Sequence, residues 1–258
     1  MINQKFDVLD DGFVILRSVM GDDYWIDQCA RHAEDTRDVD ATTKLINYMM
    51  KHQHTSPFEF AEVCFHVRVP MDTWRQWIRH RTANVNEYST RYKEAIDSCA
   101  RTHYTKWRKQ AKNNRQGSSD EFLNTYAGQH LSRRELDFHR QAEEIYQERL
   151  RMGVSREQAR KDLPLSTYTE AYWKIDLHNF FHFLKLRADS HAQWEIRQYA
   201  QVMGAIVEQM FPITFAAWEE HVWGQKWAWS IPEIADIPSK VCSHINEYRQ
   251  WAGLEELR

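Results

Sequence analysis

The chain has 258 residues, of which 42% are hydrophobic and 28% are charged, and its formal net charge is -3. These values indicate a globular protein with one large domain or two small ones, and the near-neutral charge argues against a general nucleic-acid coat. No apolar run reaches the length of a membrane span, and the first residues, MINQKFDVLDDGF, lack a signal-peptide pattern.

Cysteine, glycine and proline are few and dispersed. The four cysteines are scattered and form no C-x-x-C pair, which argues against disulfides and cysteine-rich zinc sites and favours a reducing, cytoplasmic location. The eight glycines and six prolines mark no linker, and the chain contains no low-complexity run or repeat. We therefore expect one continuous domain over residues 1–258.

The first half of the chain is predicted to alternate strands with helices. GFVILRSVM reads as a strand, and two helices follow, DDYWIDQCARHA and ATTKLINYMMKHQ, each opened by an acidic or hydroxyl cap. In HTSPFEF, Pro57 disfavours helix at Ser56 and predicts a turn. Apolar and polar residues alternate in AEVCFHVRV, which predicts a half-buried strand, and MDTWRQWIRHR reads as a short helix.

The second half is predicted to be mainly helical. Residues 93–118 are polar and irregular, and a long helix follows from about Asp120 to Met152. SREQARKDLP reads as a short capped helix, TYTEAYWKI as a strand, residues 176–211 as one or two packed helices, and the tail from Pro232 onward as short helices. Because helix dominates and the strands come in mixed order, we predict an α+β fold: a helix-rich single domain with a small mixed or antiparallel sheet.

One stretch, WIRHRTANVNEYSTRY, concentrates cations and amides. Four arginines fall between Arg75 and Arg91, against one carboxylate, Glu87. Guanidinium forks match phosphate oxygens, and Asn and Gln offer the donor–acceptor pairs that read base edges. The aromatic residues between these charges favour a partly buried nucleotide pocket over the alternative, a solvated basic surface. The candidate pocket residues are Arg75, Gln76, Arg79, His80, Arg81, Asn84, Asn86, Glu87, Ser89 and Arg91.

A second cluster lies in LHNFFHFLKLRADSHAQWE. On an ideal helix its polar face comprises His178, His182, Lys185 and Asp189. Arg187 and His191 fall inside the opposite, apolar arc, where a charge needs a ligand or, alternatively, an internal ion pair with a core carboxylate. His178 and His182 also have the i,i+4 spacing of metal ligands, but no third ligand is evident, and we expect no metal.

Two single residues are weaker candidates. His54 stands in a turn ahead of a strand, where side chains often reach a ligand, although a lone turn histidine is more often simply surface. Ser89 lies in no G-x-S-x-G elbow and has no neighbouring base in the sequence, so we do not expect it to be a nucleophile.

Four segments, in the same order, resemble the flavin-dependent thymidylate synthases, or thymidylate synthase complementing proteins. RHR at residues 79–81, followed after seven residues by Ser89, resembles the family signature, and its N-E-x-S-x-R-Y extension is present as NEYSTRY. FLKLRADSHAQWEIRQYA resembles the second block, HTSPFEF the N-terminal histidine loop, and ARKDLP the phosphate-arginine segment. The resemblance covers roughly residues 10–220 and leaves residues 225–258 as a C-terminal extension.

The resemblance implies a methyltransferase that makes dTMP from dUMP. In this family methylenetetrahydrofolate gives the carbon, NADPH reduces a bound FAD, and the reduced flavin supplies the hydride that completes the methyl group. No cysteine nucleophile is needed, which fits a chain whose cysteines lie in no recognisable motif. We expect no nucleic-acid or membrane partner.

The resemblance also implies a role for each matching residue. Arg187 is expected to be catalytic, holding the uracil and favouring ionisation at its N3. The expected FAD contacts are His54, Thr55, Arg79, His80, Arg81, Glu87, His178 and His182. The expected dUMP contacts are Gln76, Arg79, Glu87, Ser89, Arg91, Arg160 and Arg187. His191 is similar to a family histidine near the flavin.

The sequence departs from the family pattern at three places. Asn84 stands where the common signature has Ser, so no ligand is assigned to it. The segment Lys93–Tyr104 does not resemble the usual stretch after R-Y. His178 stands where some relatives carry Arg, which weakens the case for its contact with FAD.

Two other functions are compatible with parts of the sequence. One is a different flavoprotein that acts on a pyrimidine nucleotide with the same pocket but without folate. The other is an RNA-binding module built on KWRKQAKNNR, in which Trp107 stacks on a base. Binding alone leaves the Arg187 segment unexplained, and the enzyme is therefore favoured.

The family resemblance implies a homotetramer with shared active sites, and helix geometry gives a reason to expect it. His182 and Arg187 are five residues apart, so they point about 140° away from each other on an ideal helix. One short helix cannot easily turn both side chains into one small pocket of its own chain, so either the helix is distorted between Leu186 and Ser190 or it lies at an interface. The resemblance to a homotetrameric family favours the interface. Sites shared between chains, for example with Arg79 from one and Arg187 from another, are expected instead.

Overall fold

The computed structural model describes residues 1–32, 37–96, 98–112 and 117–227. Its strands are β1 (Lys5–Val8), β2 (Gly12–Met20), β3 (Glu62–Pro70), β4 (Asn84–Glu87), β5 (Arg108–Gln110), β6 (Ser118–Phe122) and β7 (Tyr168–Asp176). Five of them form an antiparallel sheet in the order β1-β2-β3-β7-β4, and β5 and β6 form a separate hairpin.

Helices make up most of the remaining regular structure. The α-helices are α1 (Asp23–Arg31), α2 (Val39–Lys51), α3 (Met71–Trp77), α4 (Thr125–Arg151), α5 (Arg156–Ala159), α6 (Leu177–Arg187), α7 (Trp194–Met210) and α8 (Pro212–Trp218). Short 3-10 turns span Ser56–Phe60 and Arg160–Asp162, and a π turn spans Glu219–Trp223. The predicted α+β fold, helix-rich with a small antiparallel sheet, is confirmed.

Four of the helices begin at a carboxylate or amide side chain that accepts a backbone N–H of the first turn. Each such contact satisfies one of the N–H groups that a helix start leaves without a partner. The capping residues are Asp22, Asp38, Asn124 and Asp176. The predicted cap of α1 is present at Asp22, the first residue of the predicted helix, and α2 is capped by Asp38, three residues before its predicted start at Ala41.

The core is built on aromatic side chains between the sheet and the helices. Trp77 of α3 and Trp173 of β7 are fully buried, with ring centroids 5.5 Å apart. Phe183 of α6 and Tyr199 of α7 lie 5.2 and 5.7 Å from the same Trp77 ring. Most of the unusual aromatic content therefore serves packing, and this packing fixes the end of α3 against α6 and α7.

Strand β3 has the predicted alternation. Val63, Phe65, Val67 and Val69 are buried, while the intervening polar residues are partly exposed. Pairing with β7 places Phe65 opposite Trp173, which continues the core across both strands.

One predicted boundary is wrong, and four short strands were not predicted. Strands β1 and β5 have only four and three residues, and β4 and β6 are almost entirely exposed. The long helix begins at Thr125 rather than near Asp120, since Ser118–Phe122 pairs with β5. HTSPFEF contains a 3-10 turn with Pro57 in its first turn, a position that a 3-10 helix tolerates.

The polar segment before the hairpin has fixed contacts despite its irregular backbone. Thr102 donates from its backbone N–H and its hydroxyl to Glu135 of α4, at 2.7 and 3.2 Å. Trp107 Nε1 donates to Ser132 Oγ at 2.9 Å. Residues 98–107 are thereby held along α4. The predicted helices from Pro232 onward lie outside the described residues.

Residues 176–211 form two helices, α6 and α7, separated by a turn. Because α6 ends at Arg187, the prediction that His191 lies in an apolar helical arc is wrong. His191 is exposed, and its ring Nδ1 and backbone N–H each lie 2.8 Å from Asp189 Oδ1. None of the helices in the described ranges is long and apolar enough to cross a membrane.

Candidate active site

The end of α3 positions the RHR segment. Buried Trp74 and Trp77 anchor the helix in the core, and the chain then turns, with the His80 N–H donating to the Trp77 carbonyl at 3.0 Å. This turn leaves Arg79 exposed and buries His80, which is 8% exposed. The packing of two tryptophans therefore decides which member of RHR faces inward.

His80 is held by Arg187 of α6. Arg187 Nε donates to His80 Nε2 at 3.0 Å, and Arg187 Nη2 donates to the Gln76 carbonyl at 3.4 Å. The His182 ring lies 6.0 Å from the His80 ring. Burial lowers the pKa of His80 to about 4, with further lowering by the Arg187 charge and then by His182. We name Gln76, His80, His182 and Arg187 the His80 group.

The protonation state of His80 follows from these contacts. With its pKa lowered to about 4, the ring is neutral at physiological pH. Nε2 accepts from Arg187, so the single ring hydrogen lies on Nδ1. Within the part of the chain that the structure describes, this Nδ1–H has no acceptor, so it is free to donate to a bound ligand.

His80 is predicted to make the protein acid-sensitive. A histidine with a lowered folded-state pKa contributes stability that is fully present above its ordinary value of 6.5 and is lost as pH falls toward 4. The loss from His80 is at most about 3 kcal/mol over this window. Denaturant titrations at several pH values between 4 and 7 should show a smaller acid-induced loss in His80→Gln than in the wild type.

Two other groups that burial perturbs also change protonation between about pH 4 and 7, and they serve for comparison. His139, whose pKa burial lowers to about 4, acts in the same direction, while Glu135, whose pKa burial raises to about 7, acts in the opposite one. His139→Gln should therefore also reduce the acid-induced loss. Equal pH slopes for wild type and His80→Gln would contradict a buried neutral His80.

His182 and Arg187 do not point into separate pockets. Both side chains lie against His80, one on its ring and the other on its Nε2. The sequence argument that one helix cannot easily present both residues to a site of its own chain is therefore wrong. His80 lies between the directions in which His182 and Arg187 point, so both side chains reach it. The predicted ion pair of Arg187 with a core carboxylate is also absent among the described residues.

A second group of predicted site residues lies after the edge strand β4. Thr169 Oγ1 donates to Glu87 Oε1 at 2.9 Å, and Arg160 Nη1 donates to Thr90 Oγ1 at 2.5 Å. Arg91 pairs with Glu157 at 3.4 Å, with both side chains more than half exposed. We name Glu87, Ser89, Arg91 and Arg160 the Ser89 group. No hydrogen bond or ion pair between described side chains joins it to the His80 group.

The arginines around the turn are available to bind an anion. Arg75, Arg79 and Arg81 are exposed, and among the described residues their side chains make no hydrogen bond or ion pair. The exposed Arg91–Glu157 pair is a weak interaction that a phosphate can replace. Such a donor set suits a ligand with several phosphate oxygens, as the sequence predicted.

Thr55, His54 and His178 are near α6 but have no contact with either group. The 3-10 turn that follows Thr55 packs against α6, and Thr55 Oγ1 lies 3.5 Å from Glu59 Oε1. His54 is exposed beside Tyr48, with ring centroids 5.6 Å apart, and His178 is half-buried in the first turn of α6. Their predicted FAD contacts stay predictions.

Sequence reasoning missed two polar residues behind Gln76. Gln193 lies between Gln76 and Asp72: Gln76 Nε2 contacts Gln193 Oε1, and Gln193 Nε2 donates to Asp72 Oδ2 at 3.3 Å. Gln193 immediately precedes α7 yet forms no capping bond with it. A glutamine at this cap position, where Ser, Thr, Asp or Asn is preferred, was the available signal.

Two of the cations proposed for RNA binding, and the tryptophan between them and Lys106, are already engaged within the chain. Arg108 pairs with Glu195 at 2.5 Å, Lys109 pairs with Glu121 at 3.0 Å, and the Trp107 indole is bonded to Ser132. An RNA-binding module would need these groups free, so the contacts count against it.

No described cysteine is placed or activated as a nucleophile. Cys29, Cys64 and Cys99 are free thiols outside both groups, and burial raises the pKa of each. A raised pKa disfavours the reactive thiolate. No group of three or more metal-ligating side chains occurs in the described ranges.

Comparison with known proteins identifies the family. The family model of the thymidylate synthase complementing protein matches residues 16–213. The chain belongs to this family. This match covers most of the chain and confirms the resemblance inferred from the four segments. The matched range includes every predicted site residue of this chain.

Two curated relatives of this family member share almost half of the aligned residues. The chain is 48% identical to the flavin-dependent thymidylate synthase of Thermus thermophilus over 217 residues, 83% of this chain and 78% of the relative. It is 44% identical to the flavin-dependent thymidylate synthase of Ehrlichia ruminantium over 225 residues, 86% of this chain and 75% of the relative.

A solved structure has the same fold. The UMP/dUMP methylase PolB from Streptomyces cacaoi, bound with 5-Br UMP, aligns with a TM-score of 0.75 and 30% identity. The alignment covers 84% of this chain and 97% of the PolB chain. The chain therefore shares its fold with a nucleotide methylase.

Proposed function

We propose that the chain converts dUMP to dTMP with bound FAD, taking the carbon from methylenetetrahydrofolate and the electrons from NADPH. The observation that carries this proposal is the contact between Arg187 and a buried, neutral His80, beside exposed arginines that have no hydrogen-bond or ion-pair partner among the described residues. Relatives at 44–48% identity are named flavin-dependent thymidylate synthases, which supports the same chemistry here.

The residues present suit FAD. Arg79 and Arg81 supply cationic donors for its phosphates, and the free Nδ1–H of His80 is a neutral donor for the ring system. His182, exposed beside His80, and Thr55 and His178 near α6 complete the proposed contacts. Bound FAD supplies the hydride that completes the methyl group.

Two sets of residues are proposed to hold dUMP. Arg187 and Gln76 lie together and take the pyrimidine, where the fixed guanidinium favours the anionic form of the ring. Ser89, Arg91 and Arg160 donate to the phosphate, and Glu87 accepts from the sugar or the flavin. Thr90, bonded to Arg160, links these phosphate donors within one chain.

Ser89 is proposed to be a donor rather than a nucleophile. Its Oγ accepts the Arg91 N–H at 3.4 Å, and among the described residues no histidine or carboxylate lies within hydrogen-bond distance. Without a base the hydroxyl is not activated for attack on carbon.

Ser89→Ala is expected to weaken dUMP binding and to leave turnover at saturating dUMP largely intact. Losing one hydrogen bond to a charged group costs about 1.5–3 kcal/mol, which corresponds to roughly a 10- to 150-fold rise in KM for dUMP. Steady-state kinetics with FAD-loaded protein measures both constants. Ser119→Ala, a serine change on the distant β5–β6 hairpin, is the control. Loss of all turnover at saturating dUMP, with FAD content and folding intact, would show that Ser89 takes part in the chemistry.

We further propose a homotetramer in which each site combines the His80 group of one chain with the Ser89 group of another. Each group has exposed members, His182 in one and Glu87 and Arg91 in the other, and no hydrogen bond or ion pair between described side chains joins the two groups within the chain. Strand β4 ends the sheet, and its Val85 is 45% exposed, as expected for an edge covered in an assembly. Phe138 and Ile145 of α4 and Met152, which directly follows α4, recur every seven residues and are also exposed.

The spectrum of the purified protein tests the flavin part of the proposal. We expect FAD to co-purify and NADPH to bleach it in the presence of dUMP. A flavoprotein acting on a pyrimidine nucleotide without folate would bleach too, but its product formation would not depend on methylenetetrahydrofolate. A colourless protein that binds no added FAD would contradict the proposed function.

A further inference from the structure

A chain of three half-buried polar side chains ends at the proposed pyrimidine site. Asp72 Oδ1 accepts from the Thr73 backbone N–H at 2.7 Å, and Asp72 Oδ2 accepts from Gln193 Nε2 at 3.3 Å. Gln193 Oε1 in turn faces Gln76 Nε2. The Gln76 carbonyl accepts from Arg187 Nη2, so the end of this chain lies next to the proposed catalytic arginine.

The carboxylate fixes the direction of every bond in the chain. An ionised Asp72 only accepts, so Gln193 must turn its NH₂ group toward Asp72 and its oxygen toward Gln76. Gln76 must then turn its own NH₂ group toward Gln193. Gln76 Oε1 and one N–H of its NH₂ group remain available to a ligand, and the positions of this acceptor and this donor cannot be exchanged. Amide orientation, usually ambiguous, is here set by chemistry.

A Gln76 amide held in one orientation distinguishes uracil from cytosine. At position 4 uracil presents a carbonyl acceptor, whether or not its N3 is ionised, whereas cytosine presents an amino donor. An amide free to rotate by 180° matches either ring, but an amide held in one orientation matches only one of them. A mismatch leaves buried polar groups without partners, which penalises binding strongly.

We propose that Asp72 and Gln193 are positioning residues that lock the Gln76 amide and thereby make the site select uracil over cytosine nucleotides. This inference rests on the proposed function, in which Gln76 contacts the pyrimidine of dUMP. Neither residue touches the substrate, and both act through Gln76. Gln193 is free for this role because its side chain does not cap α7.

Binding of dUMP and dCMP to three variants of the FAD-loaded protein tests the inference. Asp72→Asn keeps the shape of the side chain, but asparagine both donates and accepts hydrogen bonds. The Gln193 and Gln76 amides can then adopt either orientation. Gln193→Leu keeps most of the volume and breaks the chain. Gln198→Leu is the matched control, since Gln198 lies near the start of α7, which Gln193 precedes, and among the described residues its side chain bonds only the Trp194 carbonyl, at 3.5 Å.

Calorimetric titration gives Kd for both nucleotides. We expect Asp72→Asn and Gln193→Leu to weaken dUMP binding about 3- to 10-fold and to reduce the ratio of the dCMP Kd to the dUMP Kd at least about tenfold. Gln198→Leu should retain the wild-type ratio. A purely structural role would lower thermal stability or FAD content without changing this ratio.

The outcomes separate this inference from the proposed function. If the wild type makes dTMP but Asp72→Asn retains its dUMP-to-dCMP preference, the positioning role is wrong and the proposed function stands. If Gln193→Leu fails to fold, Asp72→Asn alone decides. If the wild type binds no dUMP, the proposed function and this inference both fail.

Discussion

Arg187→Ala is expected to lower kcat about 10³-fold or more while leaving the fold intact. Arg187 is the one predicted catalytic residue, and its guanidinium is bonded both to His80 and to the Gln76 carbonyl. Burial lowers its pKa, which shows that its charge is partly withdrawn from water. A fixed charge in such surroundings stabilises a developing anion more than a solvated one does, and losing a single donor of this kind commonly costs 10²–10³ in kcat.

Arg187→Lys separates charge from geometry. Lysine keeps the positive charge but loses the planar fork that contacts His80 and the Gln76 carbonyl together. We expect a fall in kcat of about 10²-fold, smaller than that of the alanine variant. Lys185→Ala, a cation change on the exposed side of the same helix, should have little effect. Wild-type turnover in Arg187→Ala would contradict the assigned role.

Mixing two inactive proteins is expected to restore activity if sites are shared between chains. One protein carries Arg187→Ala and the other carries Ser89→Ala with Arg91→Ala, so each retains one of the two groups. The assay uses a dUMP concentration far below the raised KM of the second protein, at which each protein alone is nearly inactive. With random exchange at equal amounts, half of the His80 groups and half of the Ser89 groups are intact, and about one quarter of the sites are wild-type. Turnover measured after exchange should approach this fraction of the wild-type value.

The choice of pair follows from the structure. Arg79 and Arg187 looked suitable from sequence, but Arg187 is bonded to His80, the neighbour of Arg79, so this pair tests the idea less well. Native mass spectrometry of one mass-labelled protein shows whether chains exchange. Activity that stays at zero after proven exchange would mean that one chain supplies both groups.

The sequence could indicate a candidate anion site because the chemistry of such a site is local. RHR, Ser89 and Arg91 lie within thirteen consecutive residues, 79–91, and guanidiniums so concentrated with a single carboxylate signal an anion site before any fold is known. The alternation in β3 and the cap of α1 are local as well. Such features depend on near neighbours in the chain, and the structure has them as predicted.

The missed features depend on residues distant in sequence. His80 is neutral because the core and α6 surround it, and α6 lies about a hundred residues further along the chain. His182 and Arg187 do point in different directions on an ideal helix, but helix geometry alone could not predict that the His80 side chain lies between them. Asp72 and Gln193 form their contact across 121 positions, so no local pattern could reveal it.

One measurement tests the central claim most directly: dTMP formed from dUMP by the purified, FAD-loaded protein, quantified by chromatography. We predict product only when dUMP, methylenetetrahydrofolate and NADPH are all present, and almost none with Arg187→Ala. Product that forms without methylenetetrahydrofolate or in the absence of FAD, or no dTMP from the complete mixture, would contradict a flavin-dependent thymidylate synthase.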